Sequence, residues 1–416
     1  MKRWQWAVRL LTRRMWFRAA LFCVFAVALA MAGALLGHTI SYDFAGKVGA
    51  KSVDNILNVL ASSMLAVTTF SLTAMVSAYA GATSNITPRA VQLLIDDTTA
   101  QNALATFLGS FLFAVVGIIA LSTGLYGETG RVILFAGTIL VIALIVVTFL
   151  RWIEHITRFG RVGDTIERVE HAATQAVRAM AQRPRFGEKE RRAVPSGATC
   201  IHHKGIGRIT HVDTPQLAEV AKEISGEITL SALPGTFVDP ARVIAWTTVR
   251  LDDRQMRRIR EAFTVSNNRA FDHDPRFGLV VLSEIGSRAL SPAVNDQGTA
   301  IAVLEAGTRV LAAILRHDPE ERDDPFPGVN VPAFAFPDLL EDLYRPLARD
   351  GAGTVELGIR LQKSLAALAA IEPQARQDCM FEAEDALARA QSQLASPTDE
   401  DRLRTVHDRI RHHADR

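Results

Sequence analysis

Residues 53–88 read VDNILNVLASSMLAVTTFSLTAMVSAYAGATSNITP, and no charged side chain lies between Asp54 and Arg89. When these residues are placed on a helix at about 100° per residue, small polar side chains collect on one side and apolar side chains on the other. The pattern predicts a membrane-spanning helix with one polar face. That face carries Asn55, Asn58, Ser62, Thr69, Thr73, Ser77, Ser84 and Thr87.

The polar face has two interpretations. Closely packed membrane helices place small and hydroxyl residues at their contacts, so the face could serve helix packing alone. It could also line a hydrated pathway, because it runs the whole length of the helix. One helix cannot enclose a pore, so the second interpretation requires a homo-oligomer. Its cargo would be ions or small solutes.

Four runs in the chain are apolar enough to cross a bilayer, which takes about 20 residues each. The predicted spans are 16–36, 56–84, 103–125 and 132–150. Arg13 and Arg14 precede the first span, and Arg151 and Arg158 follow the fourth. The positive-inside rule therefore predicts that both termini lie in the cytoplasm. We expect a multi-pass protein of a bacterial inner membrane, with the lipid bilayer as its surroundings.

The composition argues against several functional classes. The chain has 416 residues and a formal net charge of +2, so nucleic acid is not an expected partner. Cys23, Cys200 and Cys379 lie far apart in the sequence, which excludes a disulfide scaffold or a zinc ribbon. The sequence contains no phosphate-binding loop and no nucleophile elbow. We therefore expect no cofactor and find little support for an enzyme.

Charged residues become dense after the fourth span, which predicts a cytoplasmic half. Residues 151–195 are expected to form a connecting helix, continuous to Arg183, and a linker. Residues 196–250 show short strand patterns with turns, typical of a small β-barrel, and residues 251–416 show helical patterns. The predicted fold class is a mainly α membrane protein with a four-helix transmembrane region and a cytoplasmic α+β domain, a small β-barrel followed by helices.

Polar residues at the cytoplasmic end of the second span form a candidate mouth. Arg89 is expected either to pair with Asp96 or Asp97 or to face an anion. His155, just beyond the fourth span, is expected either to pack at the interface or to couple the membrane to the soluble half as a proton-sensitive group.

One cluster in the soluble half has the residue types of a metal or acid–base site. A structural alternative exists, because Asp274-Pro275 has the pattern of a helix N-cap and Asn295 or Asp296 can cap the helix near Thr299. We therefore assign no metal and no catalytic residue to it. The candidate residues are Asp272, His273, Asp274, Glu284, Asn295 and Asp296.

Two stretches resemble signatures of a bacterial family of predicted membrane proteins known as domain of unknown function 2254. The first covers 272–278 (DHDPRFG) and 288–296 (RALSPAVND), and the second covers Thr87-Pro88-Arg89 with Asp96, Gln101 and 107–109 (FLG). The resemblance extends over nearly the whole chain. It implies an integral membrane protein with a cytoplasmic domain and no established activity. The chain departs from the family pattern at His273 and Gln297.

These observations favour an oligomeric inner-membrane protein that forms a polar pathway, channel-like or transporter-like, regulated by its cytoplasmic domain. The alternative is a membrane-anchored cytoplasmic module that binds a ligand or a protein and conducts nothing.

Overall fold

The computed structural model describes residues 17, 20–25, 27–28, 50–95, 97–123, 128–181, 193–316, 326–332 and 334–414. The chain divides into two compact units. The first contains Met1–Ser84 and Val91–Arg161, and the second contains Asn85–Ala90 and Val162–Arg416. The short segment Asn85–Ala90 thus belongs to the second unit, although the residues before and after it in the chain belong to the first.

The first unit is helical. Residues 20–25 are helical, and they are followed by α1 (Ala50–Asn85), α2 (Val91–Ile95), α3 (Thr98–Ser122) and α4 (Glu128–Arg158). Among the described residues of this unit, three segments are long and apolar enough to cross a membrane: Val53–Thr83, Val91–Ser122 and Arg131–Arg158. They overlap the predicted second, third and fourth spans. Most of the predicted first span, 16–36, lies outside the described residues.

Small residues allow close packing inside the first unit. A Cβ added at Gly117 of α3 would lie 3.1 Å from Leu57 Cδ1 of α1, so these two helices meet at the glycine. The rings of Phe25 and Phe113 lie 6.3 Å apart, which brings the described part of the first run against α3.

The expected continuous helix from Arg151 to Arg183 is interrupted. Helix α4 ends at Arg158, and α5 runs from Val162 to Ala181. Between them Gly160 adopts a positive φ of 79°, which favours glycine and ends the helix. A Cβ at Gly160 would lie 3.2 Å from the Ala78 Cβ, so the break also brings the chain close to α1.

The second unit contains two small open sheets. The first has the order β1-β5-β3-β7, from Thr199–His202, Val243–Thr247, Ile228–Leu230 and Val329–Asn330, and the second has the order β4-β2-β6, from Phe237–Val238, Gly207–Val212 and Phe263–Ser266. All pairings are antiparallel except β3 with β7. Neither sheet closes on itself in the described residues, so the expected β-barrel is not confirmed. Two strands, β6 and β7, also lie outside the predicted 196–250 region.

Two short helices cover the sheets. Helix α6 (Thr214–Glu223) begins at Asp213, whose carboxylate caps Gln216 N, and α7 (Asp253–Glu261) begins with a reciprocal capping box between Asp252 and Gln255. Their apolar faces close a shared core. It includes Ile201, Ile209, Leu217, Val220, Ile228, Val238, Ile244 and Ile259.

The remaining helices form a bundle with α5. They are α8 (Pro275–Ala289), α9 (Gln297–Leu315), α10 (Phe336–Asp350), α11 (Val355–Ile371), α12 (Arg376–Gln393) and α13 (Pro397–Ala414). Helix α9 is also long and apolar enough to cross a membrane. It packs against α5, α8, α10 and α11, and its Glu305 and Arg309 pair with Arg360 and Glu170. We therefore assign α9 to the core of the bundle.

Candidate functional site

The polar face of α1 points away from the rest of its own unit. Six of the eight residues assigned to it are exposed: Asn55, Asn58, Ser62, Thr69, Thr73 and Ser77. The buried side chains of the helix lie on the opposite side, and they include Val53, Leu57, Leu60, Met64, Ser71, Met75 and Ala82. The described part of the chain therefore leaves the polar face uncovered.

Four of these six side chains are bonded to the backbone of their own helix. Ser62 Oγ donates to Asn58 O at 3.0 Å, Thr69 Oγ1 to Leu65 O at 2.9 Å and Thr73 Oγ1 to Thr69 O at 3.0 Å. Asn58 Nδ2 donates to Asp54 O at 3.0 Å. Each of these bonds uses a donor and leaves the lone pairs of the hydroxyl oxygen available to a further partner.

Large apolar side chains flank the polar face on both sides. Val59 and Phe70 lie on one flank and are 66% and 69% exposed, while Leu65, Leu72 and Val76 lie on the other and are 49–56% exposed. The exposed surface of α1 is thus a polar stripe between two apolar ridges. We call Asn55, Asn58, Ser62, Thr69, Thr73 and Ser77 the α1 stripe.

Two further residues were assigned to the face, and the side chain of one of them, Ser84, lies outside the described part of the chain. Thr87 follows the end of α1 and is only 4% exposed, and its Oγ1 donates to Glu284 Oε2 at 3.1 Å. The α1 stripe therefore ends before Thr87.

Two residues of the predicted mouth have described partners. Arg89 pairs with Glu284, which lies outside its own loop. Asp97 caps α3, accepting from Ala100 N at 2.9 Å, and its Oδ2 lies 3.4 Å from His155 Nε2. Asp96 lies outside the described residues. The sequence separation of 195 residues explains why the Glu284 pairing could not be expected.

His155 lies in an aromatic setting. Its ring centroid is 5.9 Å from that of Trp152 and 5.2 Å from that of Phe159, and the Phe159 ring lies 5.8 Å from that of Tyr79. The side chain of His155 is mostly buried. Of the two expectations for this residue, these contacts agree with packing.

The soluble candidate residues are not brought together into one site. Asp274 caps the start of α8, and Asp296 caps the start of α9 after the loop that follows α8. Helix α8 has 15 residues, so at a rise of about 1.5 Å per residue its two ends lie roughly 22 Å apart. Within the residues that the structure describes, no group of three His, Cys, Asp or Glu side chains is arranged to hold a metal ion.

Asp296, Asn295 and His273 each have a separate local setting. Asp296 is exposed and accepts from Thr299 N at 3.0 Å and Thr299 Oγ1 at 2.6 Å, and these hydrogen bonds lower the pKa of its carboxyl. Asn295 adopts a positive φ of 50° in the preceding turn. The ring of His273 packs against that of His211 at 4.8 Å. Asp272 is exposed.

Asp274 is the most buried of the set. Arg269 binds its carboxylate through two hydrogen bonds, of 2.7 and 2.9 Å, and the Arg269 guanidinium lies 5.0 Å from the centre of the Phe277 ring. Burial raises the pKa of Asp274, and the hydrogen bonds and charge of Arg269 oppose that shift. The arrangement is a buried structural ion pair.

The chain matches the family of predicted membrane proteins called DUF2254 over residues 12–367. It belongs to the DUF2254 family. Comparison with curated proteins and with solved structures gives no match. The family match over residues 12–367 confirms the expected resemblance. The membrane character that the family description states agrees with the apolar helices of the first unit.

Residues of both signatures make contacts with distant residues of the second unit. Thr87 and Arg89 of the second signature bind Glu284, which lies on the helix that begins within the first signature. Gly235, with a φ of 88°, packs so closely on Asp274 that an added Cβ would overlap the carboxylate. These contacts therefore connect parts of the chain that are distant in sequence.

Sequence reasoning missed two further connections. Arg276 binds Asp342 through two hydrogen bonds and Asp338 through one at 2.8 Å, which ties α8 to α10. Arg269 was not singled out as the partner of Asp274. The spacing of Asp338 and Asp342, four residues apart on a predicted helix, could have indicated that one face of α10 receives a cation.

Proposed function

We propose that α1 helices from several copies of this chain surround a common axis and line a narrow polar pathway for ions or small solutes. The observation that carries this proposal is the exposure of the α1 stripe on the side of the helix that faces away from its own unit. A row of polar side chains facing lipid along the length of a span would leave its oxygens without partners. Water or a second copy supplies them.

The apolar ridges support the oligomer. In a ring of α1 helices, Val59 and Phe70 of one copy would meet Leu65 and Leu72 of the next, while the stripe faces the axis. Membrane helices associate through such packing of side chains, with small and hydroxyl residues at close approach. A lining without charge would select by width, by dehydration and by charges at its ends.

The distribution of basic residues supports a bacterial inner-membrane location with both termini in the cytoplasm. Arg151, Arg158 and Arg161 follow the last apolar stretch of the first unit, while five basic residues precede Trp16 and Arg18 follows it. In this topology the second unit is cytoplasmic, and it regulates or assembles the pathway.

Flux through purified protein in liposomes tests the proposal. Thr69→Leu and Thr73→Leu replace stripe hydroxyls by larger apolar groups and should reduce flux severalfold. Thr68→Val is the matched control, because it removes a neighbouring hydroxyl that lies on the part-buried side and bonds to Met64 O at 2.6 Å. Unchanged flux in both stripe variants would contradict the proposed pathway.

The second candidate function is a membrane-anchored cytoplasmic module that binds a ligand or a protein. The bonding of the stripe hydroxyls to their own backbone favours it, because donors bonded in this way suit a helix that only packs. A fragment containing Val162–Arg416 that retains binding of a metabolite, while the full chain conducts nothing in liposomes, would support this function over the pathway.

A further inference from the structure

The segment Asn85–Ala90 links α1 to α2 but is held within the second unit. Ile86, Thr87 and Ala90 are 2%, 4% and 0% exposed, so three of its six side chains are buried. Asn85 is also the last residue of α1. Helix α1, which carries the α1 stripe, therefore continues directly into a segment that is held within the second unit.

One carboxylate holds this segment. Glu284 on α8 accepts a hydrogen bond from Thr87 Oγ1 at 3.1 Å on Oε2, and it pairs with Arg89 through Oε1. Arg89 N in turn donates to Thr87 Oγ1 at 3.4 Å. Hydrogen bonds to a charged acceptor are stronger than neutral ones, and two donors on either side of Pro88 fix the segment in direction as well as in place.

Helix α8 is itself firmly positioned. Arg276 ties it to α10 through Asp338 and Asp342, and a Cβ added at Gly278 would overlap Ala173 of α5. Interdigitated packing of this kind moves as a body rather than deforming continuously. A displacement of α8 is therefore passed to Glu284 and from there to the segment that ends α1.

We propose that the Thr87–Arg89–Glu284 contact is the coupling element through which the cytoplasmic unit regulates the pathway. This inference rests on the function proposed for the α1 stripe and names its regulation. With the contact formed, the end of α1 is fixed to α8. With the contact broken, the last turns of α1 are free to change their direction or to fray, and the pathway loses its dependence on the second unit.

The test is a charge-exchange cycle in the full-length protein in lipid nanodiscs. Arg89→Glu and Glu284→Arg each place like charges together, and the double variant restores an opposite pair. Hydrogen exchange is followed in residues 79–90, together with flux in liposomes. Each single variant should raise exchange about tenfold in this region and alter flux, and the double variant should restore both.

A second ion pair provides the matched control. Arg309 and Glu170 connect α9 to α5, and their side chains are 59% and 20% exposed, against 57% and 29% for Arg89 and Glu284. Arg309→Glu should leave exchange in residues 79–90 unchanged. Glu284→Gln serves where charge reversal prevents folding, because it keeps an acceptor for Thr87 and removes only the charge.

The outcomes separate the two proposals. Exchange that does not change in the single variants, or that the double variant does not restore, overturns the coupling whatever the flux shows. A rise confined to residues 86–90, with α1 and flux unaffected, overturns it as well. A wild-type protein that conducts nothing, although exchange spreads into α1, overturns the pathway and leaves the mechanical connection established.

Discussion

Asp274 shows how single residues tie this fold together. It is 2% exposed, it caps α8 and it receives two hydrogen bonds from Arg269. Removing one partner of such a buried pair costs about 3–5 kcal/mol, because the remaining charge has no solvent to compensate it. The backbone of Gly235 closes over the carboxylate, so the conformation of a turn in the sheet region depends on the start of a helix in the bundle.

Replacement of Gly235 should therefore destabilise the protein strongly. Gly235→Ala adds left-handed backbone strain and an overlap with Asp274, and we expect a loss of about 3 kcal/mol or more. Gly197→Ala is the matched control, since Gly197 has a φ of 85° but nothing within 4 Å of an added Cβ. The Gly197→Ala variant should lose only about 1–2 kcal/mol of its free energy of unfolding. Thermal unfolding in detergent compares them, and equal losses would contradict the close packing on Asp274.

His407 predicts a pH dependence of stability. It is 3% exposed and lies 3.0 Å from Gln362 Oε1 through Nδ1, and burial lowers its pKa below the ordinary value of 6.5. The unfolded chain then binds more protons than the folded chain at mildly acid pH. The free energy of unfolding should fall as the pH decreases through about 6.5.

The variant His407→Asn isolates this contribution. Asparagine can still donate to Gln362 Oε1 but has no proton to gain. The unfolding temperature of the variant should therefore decrease less between pH 7.5 and pH 5.5 than that of the wild type. Parallel decreases in the two proteins would show that His407 does not contribute.

Elements whose pattern is local were predicted well. The helix of α1 and its polar and apolar sides follow from residues 53–88 alone, and Asp274 and Asp296 act as the N-caps that the sequence indicated. Strands β6 and β7 were missed, because each is defined by a pairing partner distant in the chain, β2 and β3 respectively. The ion pair between Arg89 and Glu284 was missed for the same reason. A pairing over long sequence separation leaves no periodic signal.

The crossing of α5 and α8 gives a prediction at the level of elements. An added Cβ at Gly278 would overlap Ala173, so Gly278→Ala should separate the two helices and cost about 1–3 kcal/mol. Gly163→Ala, near the start of α5, is the control because nothing lies within 4 Å of the added Cβ. It should change the free energy of unfolding by about 0.5 kcal/mol or less. Equal effects would argue against a tight crossing.

At the scale of the whole molecule, the division between the two units falls at Arg161 and Val162. Most of the linker expected after Arg183 lies outside the described residues. Helix α5 belongs to the second unit, where Ile166, Val169 and Ala173 are buried and Glu170 pairs with Arg309. Its burial depends on side chains of α8 and α9, which no property of residues 162–181 alone specifies.

This division predicts how fragments behave. A fragment of residues 162–416 should be monodisperse in gel filtration and cooperative in unfolding, because it keeps the apolar face of α5 on its bundle. A fragment of residues 185–416 should aggregate, because it exposes the faces of α8 and α9 that α5 covers. If both fragments behaved alike, α5 would not be an integral part of the unit.

The central claim is that the α1 stripe meets water within the membrane. Single cysteines placed at Ser62, Thr69 and Thr73, in a chain whose own Cys23, Cys200 and Cys379 are replaced, can be tested in liposomes with a water-soluble thiol reagent. Cysteines at Met64 and Met75, on the buried side, provide the comparison. We expect rapid modification at the three stripe positions and none at the two methionine positions. Stripe cysteines that remain as unreactive as the buried ones, in a folded protein, would contradict it.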